Sequence, residues 1–244
     1  MQKSRLNFRH EMFVINIMGK VNQCLLMHPW FTDLMPRHQA LVRRRASLRS
    51  VAAGGFVAYR GQPSTHWIGV HQGLIKLSVY SLDGESCTLC GIPPRGWCGE
   101  GSVIKRELRK YDVVAIRNSE LLMIPAEVFH TLLKESLSFS SFIINHLNER
   151  MGLFIFTLQA ERLLDVNARV AQAIAQLFHP VLHPQTSMVL ELSQKEIGLL
   201  TGLSRQRVNR ALKNLEALKI IDISYQSVRM LDLPALRDFG LSAL

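Results

Sequence analysis

The sequence predicts an α+β chain built from an antiparallel β-sandwich or barrel, a long helix and a winged helix-turn-helix. Three observations carry this. Short β-type segments recur between about Leu48 and Pro125, an apolar 3,4 spacing runs through residues 138–163, and a doubly capped helix pair occupies residues 193–218.

The β segments are FVAY (56–59), HWIGV (66–70), GLIKLSVY (73–80), SCTLCGI (86–92), YDVVAI (111–116) and LLMI (121–124). Asp83–Gly84 is a strong hairpin signal, and Gly61, Gly73, Gly91, Gly96, Gly99 and Gly101 mark corners. Ahead of them a short helical region carries Trp30, Phe31, Leu34, Met35 and Leu41, while residues 1–27 read as a loosely specified extension. The Arg43–Arg45 run is a solvated face. After Pro125, Ala126–Leu133 forms a short amphipathic piece.

In the long helix, Ile144, Leu147, Met151, Phe154 and Leu158 follow the a/d spacing of a coiled-coil seam. Phe142, Ile143, Ile155 and Phe156 lie outside that seam and are expected to cover the β domain. A helix apolar on more than one face needs two partners. A dimer seam is therefore preferred over a single amphipathic core helix.

Asp165 then caps a helix holding Val166, Val170, Ile174 and Leu177, and HPVLHPQTS (179–187) is a proline-bounded loop. Ser193 and Glu196 have the spacing of a capping box. Gly202 permits the tight turn, and Ser204 caps a second helix with apolar positions Val208, Ala211, Leu212 and Leu215. Its exposed first turns hold Arg205, Gln206, Asn209 and Arg210, side chains suited to base edges in the major groove. Ile220–Met230 reads as a hairpin wing from which Arg229 reaches a phosphate. The bland alternative, an ordinary helical hairpin, leaves the two caps, the glycine turn and the base-reading set unexplained.

Composition sets the outer limits. The 244 residues are 48% hydrophobic and 20% charged, a globular composition. Net charge is +10, which favours polyanionic partners. Residues 1–60 hold ten basic against two acidic residues, whereas residues 164–244 hold nine against seven. The recognition helix, not overall basicity, is therefore the argument for double-stranded DNA. No apolar run reaches the ~20 residues of a membrane span, and no cleavage signal follows the basic N-terminus. A cytoplasmic location without membrane partners is expected. Cys87 and Cys90 lie on one strand and face opposite ways, which disfavours a metal site. No catalytic constellation stands out, so an enzyme is not expected.

The order of parts resembles the Crp–Fnr family of bacterial transcription regulators from about residue 28 onward. The resemblance rests on LSQKEIGLLTGLSRQRVNRALKNLE (192–216), RLLDVNARVAQAI (162–174), YRGQPSTHWIGVHQGLIKLSVYSLDGE (59–85) and GWCGE (96–100). It implies a cyclic-nucleotide-binding-like β-roll over 28–137, a dimerisation helix over 138–163 and a winged helix-turn-helix over 164–244. It further implies a homodimer on a palindromic operator and RNA polymerase as a further partner. Arg205, Gln206, Asn209 and Arg210 would read bases; Ser193, Lys195, Ser204 and Arg229 would hold phosphates. Many relatives have Glu where Gln206 stands, so the operator is expected to differ there.

The effector pocket would comprise Gly99, Glu100, Lys110 and Tyr111. Nucleotide-binding members carry an Arg-Ser pair where Lys110–Tyr111 fall. Lys lacks the planar fork of Arg and Tyr is bulky, which argues against cyclic AMP. Only Cys24 lies in the N-terminal half's extension, against an iron–sulfur cluster, and His66 and His71 on their strand do not amount to haem ligation. A different small-molecule effector, or none, remains. The alternative function is a ligand-sensing module whose main role is not DNA binding.

Overall fold

The computed structural model describes residues 19–81, 83 and 86–241. The Asp83–Gly84 turn thus falls partly outside the described residues, as do residues 1–18.

Eight strands form two four-stranded antiparallel sheets. One has the order β1-β8-β3-β6: β1 (Ser47–Val51), β8 (Ser119–Pro125), β3 (His66–Gln72) and β6 (Trp97–Cys98). The other is β2-β7-β4-β5: β2 (Phe56–Ala58), β7 (Asp112–Ala115), β4 (Ile75–Tyr80) and β5 (Ser86–Ile92). β1 and β6 were not expected from the sequence. β1 is the polar-rich SLRSV, held by pairing Ser47–Val51 with Met123–Ser119, and β6 has only two residues. Inward side chains of both sheets, among them Ile68, Ile75, Leu77, Ile92, Val113 and Leu121, make one core.

A second core lies outside the roll. Helices α1 (residues 19–26), α2 (Pro29–Thr32), α3 (Pro36–Arg45) and α5 (Ala126–Glu135) close over Trp30, Phe31, Trp67, Trp97, Phe129 and Phe139. Val21, Cys24 and Leu25 of α1 are buried in it. The stretch expected as loose extension is therefore, from residue 19, part of the packed domain. Its i, i+3, i+4 apolar positions were the available signal.

The long helix α6 (Leu137–Leu163) is capped by Ser136, whose hydroxyl accepts from the Phe139 amide. Phe139, Ile143 and Leu153 are buried against the roll, and Leu147 and Phe154 are half-buried. Ile155, expected to cover the β domain, faces solvent instead, beside Ile144, Met151 and Leu158. Ile144, Met151 and Leu158 keep the seven-residue spacing, and Ile155, four after Met151 and three before Leu158, falls on the same outer face.

Past Leu164, α7 (Val166–Ala175) starts at Asp165, which accepts from the Ala168 amide. It packs on α8 (Gln194–Thr201) and α9 (Arg205–Ala217). A small sheet, order β10-β11-β9, joins Ile221–Ser224, Ser227–Met230 and Val189–Leu190. α10 (Leu233–Asp238) closes the domain, and α4 (Glu100–Lys105) is a short turn of helix at the roll's corner.

Candidate nucleic-acid interface

α8 begins with a complete capping box. The Ser193 hydroxyl accepts from the Glu196 amide at 3.2 Å, and the Glu196 carboxylate accepts from the Ser193 amide at 2.7 Å. Gly202 ends α8 at φ 67°, a left-handed conformation that glycine adopts without a Cβ clash. Leu203 buries in the turn, and the Ser204 hydroxyl accepts from Arg207 at the start of α9. Val208, Ala211, Leu212 and Leu215 then fix α9 by one fully buried face.

The opposite face is open. Arg205, Gln206, Arg207 and Arg210 are exposed, while Asn209 is half-buried and accepts from Gln194 Nε2 at 3.0 Å. Lys195 is exposed, and Ser193 and Ser204 have hydroxyl hydrogens to give because both hydroxyls act as acceptors in their caps. Ser193, Lys195 and Arg205 line one groove with Tyr225 and Gln226 of the wing turn. Tyr225 is 91% exposed at the wing tip, a position that the strand pattern alone did not single out. Arg229 is exposed on β11 opposite Asp222.

The roll touches this unit directly. Arg117, just beyond β7, brings Nε and Nη2 to 2.7 Å from Glu196 Oε1 and also donates to the Glu191 carbonyl. Burial alone would raise the Glu196 carboxyl, but bonds from Arg117 and Ser193 outweigh it and hold the group below the ordinary carboxylate range. The Thr88 hydroxyl donates to the Leu199 carbonyl at 2.6 Å. A Cβ on Gly91 would come 2.7 Å from Leu200 Cδ2, so α8 lies close on this strand and a side chain there would push the Leu200 side chain aside.

The expected effector corner is filled from within. Gly99 is left-handed at φ 95° and Glu100 opens α4 with 4% exposure. Glu100 Oε1 lies 3.6 Å from His146 Nε2 and 3.8 Å from Arg150 Nε, both carried by α6. Arg150, 5% exposed, donates from Nη2 to the Trp97 carbonyl at 2.6 Å. Leu153 of α6 and Leu182 of the 179–187 loop complete the roll's core, and His183 is buried beside Gly96. That loop was expected; its plugging of the roll was not.

Lys110 does not join the corner. Its side chain is 67% exposed and lies 3.3 Å from Glu107. Tyr111 is half-buried against the interior core, where burial pushes its phenol well up. The basic group beside Gly99 is Arg109, 4% exposed, which donates from Nη2 to the His66 carbonyl at 2.8 Å. Arg109 lies in the loop before β7 (Asp112–Ala115), where no strand period applies, so neither spacing nor alternation singles it out.

Burial pushes the Cys98 thiol up to about 12 and raises Cys90 as well, which keeps both protonated. Among the described residues, no group of three or more His, Cys, Asp or Glu is placed to hold a metal ion, and no helix is long and apolar enough to cross a membrane. The corner has both a buried carboxylate and a buried guanidinium, and each is partly engaged by the protein itself. Glu100 faces Arg150 and His146, and the neighbour of Arg109 points outward. Glu100 Oε2 and Arg109 Nη1 have no protein partner. A water at each would satisfy them.

Two family models match consecutive parts of the chain: a cyclic nucleotide-binding domain over residues 48–136 and a Crp-like helix-turn-helix domain over residues 168–239. The transcriptional regulator SdrP of Thermus thermophilus is 27% identical over 199 residues, which are 79% of this chain and 94% of the relative. A cyclic AMP receptor protein of the same organism is 24% identical, covering 88% of this chain and 98% of its own length. The structure of FixK2 from Bradyrhizobium japonicum shares the fold at TM-score 0.67 and 14% identity, over 80% of this chain and 97% of that one. A capped, base-facing helix pair on a β-roll and a long helix, matched along both halves, makes this chain a member of the Crp–Fnr family of DNA-binding transcription regulators.

Proposed function

We propose that the chain works as a homodimer on a palindromic operator, with residues 138–163 as its seam. The observation that carries the dimer is the outer stripe of α6. Ile144, Met151, Ile155 and Leu158 are 69%, 57%, 54% and 51% exposed on one helix of an otherwise well-packed chain. Such a contiguous apolar stripe marks an interface, and a second α6 supplies the matching surface; Leu147 and Phe154 of the heptad flank it. A two-fold dimer places its recognition helices in major grooves about one helical turn apart.

Within each half-site, Arg205, Gln206, Asn209 and Arg210 read bases. Ser193, Lys195, Ser204 and Arg229 hold phosphates. The sensor domain extends from at least residue 19 to 137, and the DNA-binding domain is 164–244. The work is binding rather than catalysis, in the bacterial cytoplasm with DNA, and RNA polymerase is the partner through which it acts. The roll is read as taking no cyclic AMP, because Glu100 is engaged by Arg150 and His146 of α6 and the residue after Arg109 is an outward Lys110.

Selection of sites from random duplex DNA, with no added nucleotide, tests this reading. A two-fold-symmetric site is expected, unchanged on adding cyclic AMP, and the Met151→Asp/Ile155→Asp variant should sediment as a monomer and lose the site. An asymmetric site, or enrichment only with cyclic AMP, would overturn it.

A further inference from the structure

Asn209 stands one helical turn after Arg205 and directly before Arg210, on the face proposed to read bases. A free Asn amide reads adenine with both of its atoms, Oδ1 accepting from N6 and Nδ2 donating to N7. Here the amide is not free. Gln194, the first residue of α8, donates from Nε2 to Asn209 Oδ1 at 3.0 Å across the helix pair. The positive end of α8 favours the Gln194 carbonyl oxygen turned toward it and the amide hydrogens turned away. The Asn209 amide is planar, so Nδ2 turns away from Gln194, and it makes no protein hydrogen bond among the described residues.

We propose that Gln194 is a positioning residue that sets the base preference of Asn209. By engaging Oδ1 it converts an adenine reader into a donor. A donor at this point selects a base edge rich in acceptors: guanine through O6 and N7, or thymine through O4. The inference rests on the reading of Asn209 as base-facing given above.

The test uses the full chain and sites selected from random duplexes. Asn209→Ala identifies the base pair that Asn209 faces, as the position whose preference flattens. Operators differing only at that pair are then competed at one salt concentration. The ratio between operators cancels the general change in phosphate attraction that an altered charge brings.

Wild type should prefer guanine or thymine there. Gln194→Lys still donates and should keep that preference. Gln194→Ala frees the amide and should raise adenine relative to wild type by about tenfold. Gln194→Glu can only accept, so Nδ2 donates to it and Oδ1 faces the groove; the preference should invert toward cytosine and adenine, whose amino groups donate. The same base chosen by all four proteins, or adenine chosen by wild type, overturns the role of Gln194. An Asn209→Ala site identical to wild type instead overturns the base-facing reading itself, and this inference with it.

Discussion

The two halves of this chain build their sites in opposite ways. The DNA-facing unit is assembled from one continuous segment: Ser193, Glu196, Gly202, Ser204 and Arg205 succeed one another along two helices, each fixed by a local cap or turn. The sensor corner draws Glu100 from α4, Arg109 from the run into β7, His146 and Arg150 from α6, and the adjoining core takes Leu182 from the 179–187 loop of the DNA-binding domain. A local site is tuned by single substitutions at little cost to the fold. A site closed by distant elements is part of what holds the fold together, and its residues cannot be changed independently of stability.

The largest effect should therefore fall in the sensor half. Arg150→Ala leaves Glu100 buried with one positive neighbour fewer, and removal of one partner from a buried charge pair costs about 3–5 kcal/mol. Urea denaturation should show this loss, whereas Arg205→Ala should leave the midpoint unchanged and cost about 1–3 kcal/mol only in discrimination at one base pair. Equal losses of stability from both variants would break the contrast. Next comes Leu182→Ala, which empties a 1% exposed position in the roll's core and should cost about 2–5 kcal/mol. The residue lies in a proline-bounded loop outside the β-roll sequence, so a loss on this scale would establish that the linker stabilises the roll. A loss below about 1 kcal/mol would mean that the loop merely rests there.

This contrast also explains what the sequence discloses. The caps, the glycine turn and the apolar face of α9 are fixed by neighbours within four residues, and they are where the spacing puts them. The strands 66–70, 86–92 and 121–124 are legible because alternation and corner glycines are local too. β1 and β6 are not, because SLRSV and Trp97–Cys98 become strands only by pairing with β8 and β3. Lys110 is expected in the corner from where the resemblance puts the family's Arg-Ser pair; the loop before β7 turns Arg109 to the His66 carbonyl beside Gly99 instead, a contact between residues far apart in the chain. Ile155 turned outward for a similar reason: a helix face is settled by what packs against it, and both sides of α6 are apolar. Nothing in the segment 179–187 announces that Leu182 belongs to another domain's core.

Mild acid offers a smaller effect that separates the halves. Burial lowers His28 to about 4 from 6.5 and also depresses His146 and His183, while no histidine lies beyond residue 183. His28 is held neutral with its Nδ1 accepting from Trp97 Nε1 at 3.2 Å. Between the two values the unfolded chain binds more protons than the folded one, so stability rises with pH and is lost as pH falls from about 6.5 toward about 4. The depressed Glu196 carboxyl acts later, with its contribution lost only as pH falls below the ordinary 4.5. All three tryptophans, Trp30, Trp67 and Trp97, lie in the sensor half. Their fluorescence should therefore change at a higher pH than DNA binding does in the same titration. Coincident transitions would mean that the halves unfold as one unit.

The smallest effect tests the seam between the halves. Arg117 reaches from the roll to Glu196, but its side chain is 27% exposed and Glu196 keeps its bond to the Ser193 amide without it. Arg117→Ala should thus cost no more than about 1 kcal/mol, in the range of partly solvated ion pairs. Ser193→Ala removes the cap itself and should cost about 1 kcal/mol, falling on α8 alone. If the two halves are only neighbours, the selected operator is the same for wild type and Arg117→Ala, and affinity changes little. If the Arg117 variant instead loses affinity far beyond its loss of stability, then the contact with Glu196 fixes how α8 and α9 are presented to DNA. The roll would in that case act on the DNA-reading helices through one side chain, and the separation between a local site and a distributed one would end at residue 117.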